Sequence, residues 1–325
     1  MIGALGRSLQ RLYRWPVLLL GLAALFWAGN TVAARLAIDE ISPLTLTALR
    51  WVMVAAALWP VYGREVRRHW PQIRPRLGLI VLLALLGMTG FNALYYVAAH
   101  YTSAINIGIL QGAMPIFVLA GAYLAHGSRA GLVQQLGVLM TALGVAVVAT
   151  HGAPQSILEM EFNYGDLVML AACVLYALYT VALRDRPNMP GVAFFALLAL
   201  IAAVTSLPLV AFEVAAGTFR LPTARGLAIT LWIAVFPSFL SQIFYLRGVD
   251  LIGPGRAGVF VNLVPVFAAG LAVGLISEPF APYHAVALIL VLGGIWLAQR
   301  TARVTSLNAD EAVAVSSANQ VQYST

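Results

Sequence analysis

Residues 27–35 read WAGNTVAAR and residues 176–184 read YALYTVALR, with five of the nine positions identical at an offset of 149 residues. Residues 98–117 (AAHYTSAINIGILQGAMPIF) line up with residues 248–267 (GVDLIGPGRAGVFVNLVPVF) at an offset of 150. Apolar segments resemble one another by default, but a nearly constant offset between several of them is not expected from composition alone. The sequence therefore predicts an internal repeat of about 150 residues.

The composition requires an apolar solvent around most of the chain. Of the 325 residues, 61% are hydrophobic and 10% are charged, whereas a soluble domain carries about a quarter charged residues. The apolar runs are about 20 residues long and do not alternate, so they predict membrane helices rather than barrel strands. We therefore predict an all-α integral membrane protein with ten transmembrane helices. These helices are expected at residues 16–38, 43–62, 77–99, 103–125, 131–150, 165–183, 190–212, 226–246, 255–277 and 282–299.

The repeat divides these helices into two groups of five, over residues 16–150 and 164–299. Because five is odd, the second group enters the membrane from the opposite side, which makes an inverted repeat. Inverted repeats are typical of secondary transporters, since two related halves supply two interconvertible states around one central site. The pattern favours a transporter over an intramembrane enzyme, a sensor or a channel.

The arginines predict the orientation of the chain. With the N-terminus in the cytoplasm, fourteen arginines fall on the cytoplasmic side and only Arg35, Arg220 and Arg225 fall outside. We expect a bacterial inner-membrane protein with both termini cytoplasmic, a basic amphipathic segment at residues 1–15 and a disordered tail at residues 300–325. The net charge of +7 is explained by this topology and the lipid bilayer, so no nucleic-acid partner is expected.

Several loose motifs follow one another in a fixed order along the chain. They are LFWAGNTVAAR at residues 25–35, SPLTLTALRW at 42–51, ILQGAMPIF at 109–117, ISEPF at 276–280 and LILVLGGIW at 288–296. With this ordered set the chain resembles the EamA family of the drug/metabolite transporter superfamily. The resemblance implies ten helices, two EamA repeats and export or exchange of small metabolites. One departure is that Ser128 stands where the second repeat has Glu278.

A transported solute needs polar or aromatic groups that face a central cavity, and such groups inside predicted helices are costly against lipid. Amides and phenols can hydrogen-bond a zwitterion, so amino acids or related compounds are the first expected substrates, followed by nucleobases, sugars and cationic drugs. Export is what the family resemblance implies. The alternative is that many of these groups bond across helix interfaces. The candidate substrate-binding residues are Trp27, Asn30, Thr31, Arg50, Asn92, Tyr95, Tyr96, Gln111, Tyr176, Tyr179, Gln242, Tyr245 and Asn262.

Arg50 and two prolines each leave two interpretations open. Arg50 lies about two turns into its helix, close enough to extend its side chain to the outer surface, but it could instead bind a substrate carboxylate. Pro115 and Pro265 occupy equivalent positions in the two repeats. Each removes a backbone hydrogen bond, and the pair could act as hinges for alternating access or as static kinks that widen a cavity.

No acidic residue lies near the middle of a predicted helix. Asp166 begins a helix, and Glu213 and Glu278 each end one, all toward the predicted outer side. A proton relay of carboxylates at the membrane midplane is therefore not expected, which favours facilitated diffusion or a weakly coupled exchange.

The sequence offers no plausible catalytic cluster, so we do not expect an enzyme. The single cysteine, Cys173, excludes an intrachain disulfide and a cysteine-based metal site, and neither a metal nor a cofactor is predicted. Residues 253–258 match G-x-G-x-x-G, but no strand precedes them, so a tight loop is predicted there instead of a nucleotide site. His284 is expected at the membrane interface. A homo-oligomer remains open.

Overall fold

The computed structural model describes residues 13–127, 131–153 and 163–298. The predicted amphipathic segment lies outside the described residues except for positions 13–15, and so do the predicted tail at 300–325 and Ser128. Within the described ranges, nine helices are long and apolar enough to cross a membrane, and one shorter apolar helix follows them. This confirms the prediction of an all-α membrane protein with ten apolar helices.

We number these helices α1 to α10 in chain order. They are α1 Pro16–Leu36, α2 Pro43–Arg68, α3 Trp70–Ala98, α4 Ala104–Ala125, α5 Leu132–Ala149, α6 Tyr164–Asp185, α7 Gly191–Ala215, α8 Ala224–Ile252, α9 Pro254–Ile276 and the shorter α10 Pro282–Ala298. The largest differences from the predicted bounds are in α2, α3 and α8. The apolar run of α2 ends near residue 62, but the helix continues to Arg68 because charged residues end an apolar run without ending a helix.

The two repeats share the same departures from regular helix. α3 contains a π-helical segment at Leu85–Gly90, and α8 contains one at Ala234–Leu240. α4 is interrupted by a 3-10 turn at Gln111–Ala113, and α9 is interrupted by a turn at residues 262–263. Because each pair lies about 150 residues apart, the repeat found in the sequence is also a repeat of backbone geometry.

The same correspondence holds where α4 and α9 end. Each is followed by a residue in the left-handed conformation, Gly127 with φ of 65° and Ser277 with φ of 54°. Glycine adopts this conformation freely, whereas serine does so at a steric cost. The backbone of Ser277 therefore follows the geometry of its counterpart even though the residue type does not favour it.

Pro115 and Pro265 also take equivalent places. Each lies in the first turn of the helical segment that resumes after the interruption, which begins at Met114 in α4 and at Val264 in α9. A proline is well tolerated there because the N–H that it lacks would have no partner within its own segment. The prolines mark two matched breaks, and their use as hinges stays a prediction.

The helices pack with an approximate two-fold relation between the repeats. α1 packs against α8 and α9 of the second repeat, and α6 packs against α3 and α4 of the first. α2 pairs with α7, and α4 pairs with α9. Because α4 and α9 pack against each other, their matched breaks lie on neighbouring helices.

The two ends of the bundle differ in charge. We call one the acidic end, where Asp39, Glu40, Asp166, Glu213 and Glu278 lie, and the other the arginine end, where Arg64, Arg67, Arg68, Arg76, Arg184 and Arg186 lie.

The two ends also differ in packing. In α4, every residue of the segment Ala104–Leu110 is buried, whereas none of the described side chains in residues 114–125 is. In α9, the segment Val264–Ile276 has five buried residues, while Pro254–Val261 has only Ala257. α4 and α9 are therefore tightly packed at the acidic end and loosely packed toward the arginine end, whereas α7 is buried at Ala193–Ala199 near the arginine end.

Candidate functional site

A buried arginine in α2 connects three helices. Arg50 is 6% exposed, and its Nε donates to Ser238 Oγ of α8 at 2.7 Å. Its Nη1 donates to Asn92 Oδ1 and to the Tyr96 hydroxyl, both on α3 and both at 2.5 Å. The guanidinium group therefore joins the first repeat to the second inside the bundle.

The π-helical segments position two of these partners. Ser238 lies inside the π-helical segment of α8, and Asn92 is the second residue after the segment of α3. Asn92 is held by its own Nδ2, which donates to the Met88 carbonyl within that segment at 2.6 Å. π-helical turns inside α-helices occur frequently at functional sites because they redirect side chains and backbone groups.

The hydrogen bonds extend from Arg50 to α1, since the Tyr96 hydroxyl donates to Asn30 Oδ1 at 3.0 Å. Two rings flank the guanidinium carbon, Trp51 with its centroid at 5.0 Å and Tyr96 at 5.9 Å. The hydroxyl of Tyr95 is buried close enough to the Asn30 side chain to interact with it, but no group in the described part of the chain meets this hydroxyl in hydrogen-bond geometry. The Tyr95 ring packs on that of Tyr96 with the centroids 5.4 Å apart. We call Asn30, Arg50, Asn92, Tyr95, Tyr96 and Ser238 the Arg50 cluster.

The charge of Arg50 has no acidic partner among the side chains that the structure describes. The ion pairs found there are Arg35–Glu278, Arg220–Asp39, Arg225–Glu40 and the conditional pair His69–Glu65. The expectation that Arg50 extends to the outer surface is wrong, because its side chain is buried and its acceptors lie on α3 and α8. Acceptors on neighbouring helices cannot be read from the distance between Arg50 and the end of its own helix.

Aromatic side chains from both repeats adjoin the Arg50 cluster. The Trp27 ring lies 5.3 Å from that of Tyr245, and the Phe91 ring lies 5.0 Å from that of Tyr176. Phe91 also contacts Tyr95 at 5.7 Å, which connects these rings to the cluster. We call Trp27, Phe91, Tyr176 and Tyr245 the aromatic wall. Trp27 pairs with Tyr245 and not with Tyr176, its equivalent in the repeat.

The remaining candidates have varied surroundings. Thr31 is fully buried and donates to the Ala28 carbonyl of its own helix. Tyr179 is buried against Gly87, where a Cβ would lie 2.5 Å from the ring. Both contacts are those of packing residues. Gln111, Gln242 and Asn262 are half-buried, and two of them stand at the matched breaks, Gln111 in the 3-10 turn of α4 and Asn262 in the turn of α9.

At the acidic end, a buried carboxylate that the sequence did not single out as functional closes the start of a helix. Glu213 of α7 accepts hydrogen bonds from the Ser42 and Thr45 hydroxyls at 2.8 and 2.7 Å. It also accepts from the Leu44 and Thr45 backbone N–H groups at 2.8 and 3.0 Å. These N–H groups belong to the first turn of α2, which has no intrahelical partner for them. Glu213 therefore caps α2 from the neighbouring helix.

Glu278 acts in the same way on α4. Its carboxylate accepts from the Ala104 and Ile105 backbone N–H groups at 3.0 and 3.1 Å. Arg35 of α1 lies 3.4 Å from the same carboxylate and donates to the Ala99 carbonyl at 2.8 Å. The contact ties α1, α4 and the end of α9 together. A negative charge at a helix N-terminus also interacts favourably with the helix dipole.

A third polar contact at this end involves Asp166. Its carboxylate accepts from the Thr102 hydroxyl at 2.5 Å and from Asn106 Nδ2 at 3.4 Å. Asn106 Oδ1 lies 3.2 Å from Nε2 of His284, whose Nδ1 accepts from the Ala281 backbone N–H at 2.9 Å. His284 stands in the first turn of α10 at the acidic end, where it is 3% exposed and joins α10 to α4, and its place at the membrane interface stays a prediction.

The sequence carried only weak signals for these contacts. Ser42 and Pro43 begin α2 without an acidic residue in its first turn, so the cap had to come from elsewhere in the chain. No pattern indicates that Glu213, about 170 residues away, supplies it. Among the residues that the structure covers, no group of three or more His, Cys, Asp or Glu side chains could hold a metal ion.

Comparison with known proteins adds a family match. A model described as the EamA-like transporter family matches the chain twice, over residues 14–150 and over residues 163–299. The two matches fall on the two groups of five helices.

The chain is also similar to individual proteins over most of its length. It is 23% identical to the "uncharacterized transporter YyaM" of Bacillus subtilis, with 92% of this chain and 98% of the relative covered. It is 31% identical to the "uncharacterized protein PA1977" of Pseudomonas aeruginosa, with 87% and 94% covered. It is 20% identical to the "uncharacterized inner membrane transporter YicL" of Salmonella typhimurium, with 85% and 92% covered.

A solved structure described only as a crystal structure of a protein shares the fold. It matches with a TM-score of 0.61 and 20% sequence identity, and the match covers 89% of this chain and 98% of that one. At this level of identity the likeness concerns the fold alone.

Proposed function

The chain belongs to the EamA-like transporter family, and on that premise we propose that it moves small metabolites across the bacterial inner membrane by alternating access. The substrates proposed are amino acids or related compounds, and the proposed direction is export. The substrate is taken to bind between the Arg50 cluster and the aromatic wall, where side chains of both repeats meet.

One observation carries this proposal, namely the unequal packing of α4. Its segment at the acidic end is wholly buried, whereas residues 114–125 have no buried side chain among those described. Alternating access requires a pathway that is closed at one end and open at the other. α4 and α9, which are tightly packed at the end where Glu278 caps α4 and loosely packed toward the other end, fit one such state.

The arginine distribution supports an orientation with the acidic end outside. Cytoplasmic segments of membrane proteins carry an excess of arginine and lysine. We therefore place both termini in the cytoplasm and interpret the structure as an inward-facing state, in which a cytoplasmic solute reaches the aromatic wall.

The proposed mechanism does not use a proton relay at the membrane midplane. In the described part of the chain, Asp166, Glu213 and Glu278 are at helix ends and are engaged in hydrogen bonds at the acidic end. We infer facilitated diffusion or weakly coupled exchange. If proteoliposomes accumulated solute only under an imposed pH gradient, this part of the proposal would be wrong.

Labelling of single cysteines tests the proposed state. In a Cys173→Ser background, Gln111→Cys at the break of α4 should react with a membrane-impermeant maleimide from the cytoplasmic side. Ala104→Cys, buried at the acidic end, should stay unreactive from the outside. The reverse pattern would contradict the proposed orientation and open side.

The substrate itself requires a separate experiment. Cells that overexpress the chain are screened for resistance to metabolites and their analogues, and each hit is then tested for uptake into liposomes that contain the purified protein. Transport by the protein that empty liposomes lack supports the proposal. Failure of every hit in liposomes contradicts it.

A further inference from the structure

The Arg50 cluster holds one positive charge that none of its own members balances. The three acceptors of Arg50 are a serine hydroxyl, an amide oxygen and a phenol, all of them neutral. A buried charge is costly unless an opposite charge or a full set of hydrogen bonds compensates it. Three arginines at the acidic end, Arg35, Arg220 and Arg225, each face a carboxylate instead.

The cluster also has hydrogen-bonding capacity that the chain does not use. Arginine offers five N–H donors, and Nη2 of Arg50 donates to no residue in the described ranges. Tyr95 is 1% exposed, and no group in the described ranges meets its hydroxyl in hydrogen-bond geometry. A guanidinium nitrogen and a phenol are suitable donors for the oxygens of a carboxylate.

The aromatic wall adds a surface for the rest of a ligand. Phe91 contacts both Tyr95 and Tyr176, so its ring is continuous with the cluster on one side and with the wall on the other. Aromatic rings bury an apolar or aromatic body at a low entropic cost. The neighbourhood therefore combines one cationic group with an apolar surface.

We propose that Arg50 binds the carboxylate of the transported substrate, that Tyr95 donates a second hydrogen bond to it, and that the aromatic wall packs on its apolar body. This assignment rests on the proposed function and narrows the substrate class to small organic carboxylates with an apolar or aromatic body. The carboxylate supplies the negative charge that the Arg50 cluster lacks.

Three probes with one ring and different charges test this assignment on the purified full-length chain. Phenylacetate is an anion, phenylacetamide is neutral and phenethylamine is a cation. Phenylacetate should raise the melting temperature in a concentration-dependent manner, and the other two should not. No shift from phenylacetate, or an equal shift from phenylacetamide or from chloride, overturns the proposal.

Two adjacent tyrosines provide a matched pair of variants. Tyr95→Phe removes only the hydroxyl that has no partner, so it should leave the melting temperature of the free protein unchanged or raise it. It should nevertheless weaken phenylacetate binding by about tenfold. Tyr96→Phe removes a hydroxyl that contacts Arg50 and Asn30, so it should lower the melting temperature of the free protein. A Tyr95→Phe variant that binds phenylacetate normally removes Tyr95 from the site.

Variants of Arg50 test whether its positive charge is required to recognise the carboxylate. Arg50→Gln should lose the preference for phenylacetate over phenylacetamide, and Arg50→Lys should retain part of it because the charge remains. Arg256→Gln, which changes an exposed arginine in the first turn of α9, should bind phenylacetate as the unchanged chain does. If Arg50→Gln does not fold, the Arg50→Lys and Tyr95→Phe measurements decide the question.

The proposed function can fail separately from this assignment. Transport of any solute in proteoliposomes and the cysteine labelling at Gln111 and Ala104 do not depend on the charge of the substrate. If these succeed and phenylacetate does not bind, only the carboxylate assignment is wrong. If phenylacetate binds but no solute is transported, the carboxylate site at Arg50 is supported and the proposed transport function is wrong.

Discussion

The acidic end and the arginine end lie at opposite ends of the same helices. Among the residues that the structure describes, carboxylates that cap a helix from a neighbouring element are found at the acidic end alone. Glu278 accepts from the N–H groups that begin α4. The equivalent helix, α9, begins at Pro254, which has no N–H to donate, and the sequence has Ser128 at the position 150 residues before Glu278. Two repeats of similar backbone geometry therefore differ in how strongly each end can be held closed.

On the proposed mechanism, the inverted repeat supplies two states, and this difference indicates that single substitutions set their balance. If each contact between a charged carboxylate and a backbone N–H contributes about 1.5–3 kcal/mol, the contacts of Glu278 alone can bias the closed acidic end by tenfold or more. Substitutions at the two ends test whether they differ in this way.

The largest effect is expected from Glu213→Ala, which removes a buried carboxylate that accepts four hydrogen bonds. The first turn of α2 loses its cap and two hydroxyls lose their acceptor, so the free energy of unfolding should fall by about 3 kcal/mol or more. Chemical denaturation in detergent measures this loss. Glu65→Ala at the arginine end is the control, because Glu65 is partly exposed and pairs only with His69, and it should change stability by less than about 1 kcal/mol. Equal losses of stability in Glu213→Ala and Glu65→Ala would contradict the inferred difference between the two ends.

An intermediate effect is expected from Glu278→Gln. It removes the charge that faces Arg35 and weakens the cap on α4, so the acidic end should open more often. In the Cys173→Ser background, labelling of Ala104→Cys from the outside should rise by about tenfold. Arg35→Gln should act in the same direction but less strongly, because its side chain is one-third exposed. Unchanged labelling in both variants would show that the Glu278 contact does not hold this end closed.

The smallest effect is expected in the aromatic wall. Trp27→Ala and Tyr176→Ala should each reduce transport in proteoliposomes by about threefold to tenfold, because each removes one ring from the surface proposed to contact the substrate. Tyr101→Ala is the matched control, since this ring pairs with Tyr164 at the acidic end and is 56% exposed. Normal transport by both wall variants, with folded protein present at normal amounts, would remove the wall from the site.

Much of the fold could be predicted because its signals are local. Ten apolar runs of helical length follow from the need to satisfy backbone polar groups inside a bilayer. The inversion followed from the constant offset between residues 27–35 and 176–184 and from the odd number of helices in each repeat. The two matched breaks were indicated by Pro115 and Pro265, although each proline lies just after its break.

The site could be predicted only in part, because its geometry depends on contacts between distant segments. Arg50, Asn92 and Tyr96 were candidates by residue type, but their joint hydrogen bonding needs the π-helical segment of α3, for which LLGMTG at residues 85–90 carries no clear pattern. Glu213 was recognised as a helix end and not as a cap, since its partners lie near residue 44. The contact of His284 was not predicted for the same reason, because Asn106 meets it from another helix.

The paired π-helical segments also show what the two repeats share and what they do not. A π-helical turn within a longer helix amounts to one additional residue, and such a residue cannot be removed without rotating everything beyond it. Such a turn is present near residue 88 and again near residue 237, so both repeats carry the same distortion of the helix. The arginine is present in one repeat alone, because the residues 148 to 150 positions after Arg50 are leucine, alanine and leucine. The distortion that places Ser238 and Asn92 on Arg50 is therefore a shared feature of the repeats, whereas the charge that it holds is not.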